Sequence, residues 1–202
     1  MAGTEQIEPI QLSHPEKVAL VDIARAAILN RLTHSSAAAA DEASLTDSLK
    51  RLSGAFVSLH MGDELRGCIG SIYAEERLAD IVAHMAVQAA TQDPRFSPMM
   101  ASDLNKVDIE ISVLSELSFI DPSDVQVGLH GLLLSKGSRR GLLLPQVPGQ
   151  YGWSREQYLD QLCLKAGLPD KAWKDTDCRL QMFTADVFSE STLFQDEDED
   201  YE

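Results

Sequence analysis

The sequence predicts an α+β fold with mainly antiparallel sheets flanked by helices. Three observations carry the sheet and helix content. Residues Gly54 to Ser71 and Gly131 to Pro145 each read as two apolar strands around a short polar turn. Val107, Ile109, Ile111 and Val113 alternate with Asp108, Glu110 and Ser112, the pattern of a half-buried strand. Helical segments separate these strands without a regular βαβ rhythm, which disfavours a parallel sheet.

Taken in order, residues 1–12 form a lead-in, residues 13–190 the folded domain and residues 191–202 an acidic disordered tail. Ser13-His14-Pro15 starts a helix, with proline tolerated in its first turn. Leu20, Val21, Ile23, Ala24, Ala27, Ile28 and Leu32 make one broad apolar face on it. Ser35 to Asp47 is a surface connection in which Ala37–Ala40 can add helix. In the first hairpin Gly62-Asp63 forms a two-residue turn. That turn opposes Val57 to Cys68 and Leu59 to Arg66, and puts His60 on the face away from Cys68. A three-residue turn would instead pair Ser58 with Cys68 and His60 with Arg66.

Glu75 to Ala90 follows as a helix with Leu78, Ile81, Val82, Met85, Ala86 and Ala89 on one face, and Thr91 to Pro98 breaks it. In the second hairpin the polar stretch Ser135 to Arg140 lacks the spacing of a phosphate-binding loop and reads as a basic hairpin tip. Ser154-Arg155-Glu156-Gln157 is a capping box for a helix that closes at Gly167, with Pro169 beyond. Leu180 to Phe188 is a last strand.

Composition narrows the function. The chain of 202 residues is 44% hydrophobic and 24% charged, an ordinary globular balance. Its net charge is −15, and six acidic side chains lie between Asp196 and Glu202. A negative body repels phosphate backbones, so no nucleic-acid partner is expected. No apolar stretch reaches the roughly 18 residues of a membrane span, and no charged-then-apolar leader opens the chain. A cytoplasmic location with no membrane partner is expected. Cys68, Cys163 and Cys178 are far apart and odd in number, against a disulfide framework. The five histidines show no metal-ligand spacing, and neither metal nor cofactor is expected.

The segment Leu65-Arg66-Gly67-Cys68-Ile69-Gly70-Ser71 breaks the rules of a strand. Gly67 and Gly70 imply close approach by a strand, a helix or a ligand. Arg66 needs a partner wherever it is buried. Cys68 is a candidate nucleophile, for which a thiol needs a base, a cation or a helix N-terminus nearby. Arg66 supplies the cation, and His130, flanked by Gly128 and Gly131, is the candidate base. Alternatively, Cys68 is a small buried hydrophobe and His130 a loop residue bonded to backbone. Arg66 and Arg95 suggest a pocket for a small anion, since planar guanidinium groups grip carboxylate or phosphate. The bland alternative pairs Arg66 with Glu110 and Arg95 with Asp93. Candidate ligand-binding residues are therefore Arg66, Gly67, Gly70, Asp93, Arg95, Glu110 and Gln146.

The order of these motifs resembles a known family. Gly54-Ala55-Phe56-Val57, Leu65 to Ser71, Asp93-Pro94-Arg95-Phe96, Ile109 to Leu114, Gly128-Leu129-His130-Gly131, Leu144-Pro145-Gln146 and Ala166-Gly167-Leu168-Pro169 together are similar to the AMMECR domain family. The resemblance implies a fold of two α+β lobes with a cleft between them and the Leu65–Ser71 string near their junction. It also implies an accessory role beside a radical S-adenosylmethionine enzyme and a Memo-like protein, as in the microbial AmmeMemoRadiSam system protein A. It assigns no reaction. An accessory module holding a small anionic ligand is the preferred expectation; an enzyme using Cys68, supported by Arg66 and His130, is the other.

Overall fold

A computed structural model describes residues 10–35 and 42–195; the proposed helix at Ala37–Ala40, most of the lead-in and the end of the acidic tail lie outside them. In chain order the elements are α1 (His14–Thr33), α2 (Asp47–Lys50), β1 (Gly54–Met61), β2 (Glu64–Ser71), α3 (Leu78–Thr91), β3 (Asp108–Leu114) and β4 (Ser118–Phe119). They continue with β5 (Gly131–Lys136), β6 (Arg139–Leu143), α4 (Val147–Tyr151), α5 (Arg155–Lys165), β7 (Arg179–Phe183), β8 (Ala185–Ser189) and α6 (Glu190–Gln195). The fold is α+β with two four-stranded sheets, ordered β2-β1-β3-β8 and β4-β7-β5-β6. The chain divides into two compact units, one of Gln11–Leu114 and the residues from Asp186 on, the other including Ser115–Ala185.

In the first unit, strand alternation sorts side chains between two faces. Ala55, Val57 and Leu59 of β1 and Ile109, Ile111 and Val113 of β3 are fully buried. The apolar faces of α1 and α3 supply the rest of this core, with Leu20, Val21, Ala24 and Ile28 from α1 and Leu78, Ile81, Val82, Ala86 and Ala89 from α3. The start of α1 follows its sequence: Glu16 Oε2 accepts from the Ser13 N–H at 2.9 Å, and Pro15 needs no bond there. Hydrogen bonds from Thr46 and Ser13 lower the Glu16 carboxyl to about 2.

Helix α3 begins at Leu78 rather than Glu75. Arg77 takes the extended capping conformation, and its guanidinium pairs with Asp80 at 2.7 Å.

The second unit builds its core from one face of its sheet and α5. Leu132, Leu134, Leu143, Leu180 and Met182 meet Tyr158, Leu159, Leu162 and Cys163. The Tyr158 hydroxyl donates to the carbonyls of His130 and Leu143, each at 3.1 Å. Helix α5 starts with the capping box of Ser154 and Gln157. It ends in a Schellman motif, with Gly167 at φ +69°, the Leu168 N–H on the Cys163 carbonyl and the Gly167 N–H on the Leu164 carbonyl.

Two expectations at the C-terminal end are corrected. Leu180 to Phe188 is not one strand: β7 belongs to the second sheet and β8 to the first, with the break at Thr184. Both chain crossings are bonded to one another there, since Ser115 N–H donates to the Thr184 carbonyl and Thr184 N–H to Ser115 Oγ, each at 2.9 Å. No glycine or proline marks the break, so apolar patterning runs straight through it. The ordered chain also runs past residue 191. Helix α6 buries Leu193, where the sequence reads as tail.

Candidate functional site

The candidate site lies on the free edge of β2. Hairpin β1–β2 contains a feature that neither sequence register contains alone. From the Gly62-Asp63 turn, Met61 pairs with Glu64 and His60 with Leu65, as a two-residue turn demands. Beyond a β-bulge the register shifts, and Leu59 pairs with Gly67, Ser58 with Cys68 and Phe56 with Gly70. Arg66 is the extra, unpaired residue. The expected pairing of Val57 with Cys68 is therefore corrected, as is the placement of His60. The residues Phe56, Ser58 and His60 share one face of β1, and Cys68 stands opposite Ser58 on that face.

The glycines are explained by packing. A Cβ on Gly67 would lie 2.2 Å from the carbonyl oxygen of Ala89, so the backbone of α3 requires its absence. A Cβ on Gly70 would lie 2.2 Å from the Phe56 ring, which covers this strand glycine from the neighbouring strand.

The backbone of Cys68 turns both its polar groups outward. Its N–H donates to Asp93 Oδ2 at 2.8 Å, and its carbonyl accepts from Arg95 Nη2 at 3.2 Å. With those groups pointing away from β1, Ser58 and Cys68 form a narrow, non-hydrogen-bonded pair whose side chains come close. The Ser58 hydroxyl donates to Cys68 Sγ at 3.3 Å. On β3, Glu110 pairs with Ser58, so Cys68, Ser58 and Glu110 form one row across three strands. In the next row His60 pairs with Asp108. His60 Nε2 is buried and has no hydrogen-bond partner among the described residues.

Asp93 and Arg95 form the clamp on this edge. Arg95 Nε donates to Asp93 Oδ1 at 2.9 Å and Nη2 to Oδ2 at 2.7 Å. The Asp93 side chain is 1% exposed and that of Arg95 is 55% exposed, so the ion pair is anchored inside and open outside. Hydrogen bonds from the Arg95 side chain and then from the Cys68 and Arg95 N–H groups hold the Asp93 carboxyl well below the usual carboxylate range, against the opposing effect of burial. Asp93 in turn raises Arg95. The Phe96 ring lies 5.4 Å from the guanidinium carbon and backs it. The side chain of half-buried Arg66 makes no hydrogen bond or ion pair among the described residues, so the alternative pairing of Arg66 with Glu110 is absent there.

The first unit thus brings together Arg66, Gly67, Cys68, Gly70, Asp93, Arg95 and Glu110. His130 and Gln146 belong to the second unit. His130 Nδ1 accepts from the Gln126 N–H at 3.2 Å, its own N–H donates to the Gln126 carbonyl at 3.0 Å, and burial lowers its pKa. These bonds make it the backbone-bonded loop residue of the bland reading. Gln146 precedes α4 with its Oε1 buried and without a partner among the described residues. Ser58 is not among the candidate site residues of the sequence, where its pairing with Cys68 arises only with a three-residue turn; the bulged register gives that pairing with a two-residue turn. All three cysteines are free thiols, and burial raises Cys163 and Cys178. Among the described residues no three His, Cys, Asp or Glu side chains gather at metal-binding distance, and no helix is long and apolar enough to cross a membrane.

This α+β chain, with its arginine-clamped edge strand around Leu65–Ser71, has relatives in both sequence and structure. The AMMECR1 family model matches residues 21–188, and the chain belongs to this family. A protein of Methanothermobacter thermautotrophicus is 39% identical over 186 residues, covering 89% of this chain and 96% of its own. One from Methanopyrus kandleri is 40% identical over 181 residues, covering 85% and 86%. The crystal structure of an uncharacterized protein from Pyrococcus horikoshii superposes with a TM-score of 0.82 at 33% identity, covering 89% of this chain and 94% of that one.

Proposed function

We propose that this protein is an accessory binding module that holds a small anionic ligand at Arg66 and Arg95. One observation carries the reading: half-buried Arg66 has no side-chain partner among the described residues, two positions from the carbonyl on which Arg95 docks. A partly desolvated cation calls for an anion. Arg95 adds a planar fork whose Nε and Nη2 are committed to Asp93 and Cys68, leaving Nη1 without a bond among the described residues. A carboxylate or phosphate is the matching chemistry. A radical S-adenosylmethionine enzyme and a Memo-like protein are the proposed partners, an expectation supported by the resemblance to microbial AMMECR-type proteins alone.

The test is thermal unfolding in citrate against chloride at equal ionic strength. Citrate raises the midpoint of the wild-type chain by preferential binding to the folded state, and Arg66→Gln loses the increase. Equal shifts in both proteins overturn the reading.

The Ser58–Cys68 contact favours a second reading, in which Cys68 is a nucleophile. His60 then replaces His130 as the neighbouring base, since it shares the Cys68 face of the sheet and has an unpartnered ring nitrogen. Turnover of an acyl substrate that survives Cys68→Ser excludes it.

A further inference from the structure

Strand β2 is the outer strand of its sheet, ordered β2-β1-β3-β8, and its free edge is blocked at one point. Cys68 turns its N–H and carbonyl outward, and Asp93 and Arg95 take them at 2.8 and 3.2 Å. Outward-facing residues alternate along an antiparallel strand, so Gly70, two positions on, also presents both backbone groups to the edge. Neither group has a hydrogen-bond partner among the described residues. The edge beside Gly70 is therefore bare backbone, a template for one more strand.

The clamp narrows what can add here. A strand paired with Gly70 cannot continue toward the Gly62-Asp63 turn, because the next outward groups, those of Cys68, are already bonded. It must end about one residue, or 3.4 Å, beyond its partner to Gly70. The group waiting at that end is the exposed Arg95 guanidinium, whose Nη1 makes no bond among the described residues. Asp93 balances the charge of Arg95, so Arg95 contributes hydrogen bonds. Arg66 on the same strand contributes the charge, as in the anion site proposed above, on which this inference rests. A strand running parallel to β2 would bring an N-terminal ammonium against these cations. An antiparallel strand brings a C-terminal carboxylate, the group that a guanidinium grips.

We propose that the β2 edge binds the C-terminus of a partner protein as an added antiparallel strand. The penultimate residue of the partner exchanges both backbone hydrogen bonds with Gly70. Its terminal carboxylate accepts from the outer donors of Arg95. The last side chain stands beside Ile69, which is half-buried and shares the core face of the sheet with fully buried Val57. An apolar last residue fits that position.

The experiment is amide NMR on the full chain at constant ionic strength, titrated with an acetylated pentapeptide that ends in a free valine. The comparison peptides are its C-terminal amide and the free acid N-methylated at the penultimate residue, and citrate is the small-acid control. The free acid is expected to shift the amides of Cys68 to Gly70 and of Arg95, and to slow hydrogen exchange at Gly70. Each modified peptide is expected to bind about tenfold more weakly, since one loses the carboxylate and the other the donor to the Gly70 carbonyl. A free acid that binds no more tightly than its amide, its N-methyl form or citrate overturns the proposal. Citrate shifts at Arg66 to Gly70 without peptide binding overturn the added strand and leave the anion site standing. The absence of shifts from both overturns the two together.

Discussion

Ser58 and Cys68 face each other across β1 and β2, with the hydroxyl donating to the thiol at 3.3 Å. That contact exists because a bulge at Arg66 shifts the hairpin register by one residue. The same bulge leaves Arg66 unpaired in the ladder and turns the backbone of Cys68 toward Asp93 and Arg95. One extra residue thus sets the thiol, the cation and the clamp together.

Asp93 is the keystone of the clamp. Asp93→Asn removes its charge from the bonds to Arg95 and the Cys68 N–H. Hydrogen bonds to charged groups contribute about 1.5–3 kcal/mol each, and solvent weakens the exposed arginine end, so the expected cost is about 2 kcal/mol in urea unfolding. The carboxyl is depressed in the folded state, so its contribution is whole above the unfolded value of about 3.9 and is lost as pH falls below it. The wild-type chain is therefore expected to lose stability below about pH 4 more steeply than Asp93→Asn.

His130 has a separate pH window. Burial lowers its pKa, and its Nδ1 must stay unprotonated to accept from the Gln126 N–H. Its contribution is whole above the unfolded value of about 6.5 and is lost as pH falls through it. Stability measured between about pH 7.5 and 5 is expected to fall in the wild type and to flatten in His130→Gln. An unchanged slope contradicts this.

The two glycines of the bulged strand differ in what opposes them. Gly67→Ala pushes a methyl into the backbone of α3 and is expected to cost about 3 kcal/mol or more. Gly70→Ala meets the Phe56 ring at 2.2 Å, which can turn, and the Ala55 carbonyl oxygen at 2.7 Å, a lesser backbone clash than that at Gly67, and is expected to cost about 2 kcal/mol. Adding Phe56→Leu is expected to recover part of the second loss and none of the first. Urea midpoints of the four variants check this order.

Thiol labelling separates the cysteines. Burial raises Cys163 and Cys178, whereas Cys68 is half-buried at an edge strand. Iodoacetamide on the native chain, resolved by peptide mass spectrometry, is expected to label Cys68 first. Ser58→Ala is expected to change the Cys68 rate and leave the other two alone.

Local chemistry made most of the elements legible. The helix start at Ser13-His14-Pro15, the capping box at Ser154, the Gly62-Asp63 turn and the alternation at Val107–Val113 each act through neighbours in sequence. They appear where the residues place them. The Asp93–Arg95 pair was legible for the same reason. The bulge was not, because it depends on how β2 meets both β1 and α3, so the sequence left Ser58 opposite Cys68 only as the register of a three-residue turn. The switch between sheets at Thr184 was hidden too, since Leu180 to Phe188 is apolar in both settings. His130 between glycines read either as a candidate base or as a backbone-bonded loop residue, and the bond that fixes its ring to the Gln126 backbone is one that composition does not announce.

The most direct test of the anion site is an amide NMR titration of the wild-type chain and Arg66→Gln with citrate at fixed ionic strength. The account predicts wild-type shifts at Arg66 to Gly70 and at Asp93 to Phe96, saturating with citrate and lost in Arg66→Gln. Shifts that avoid these two segments, or that saturate equally in Arg66→Gln, contradict it.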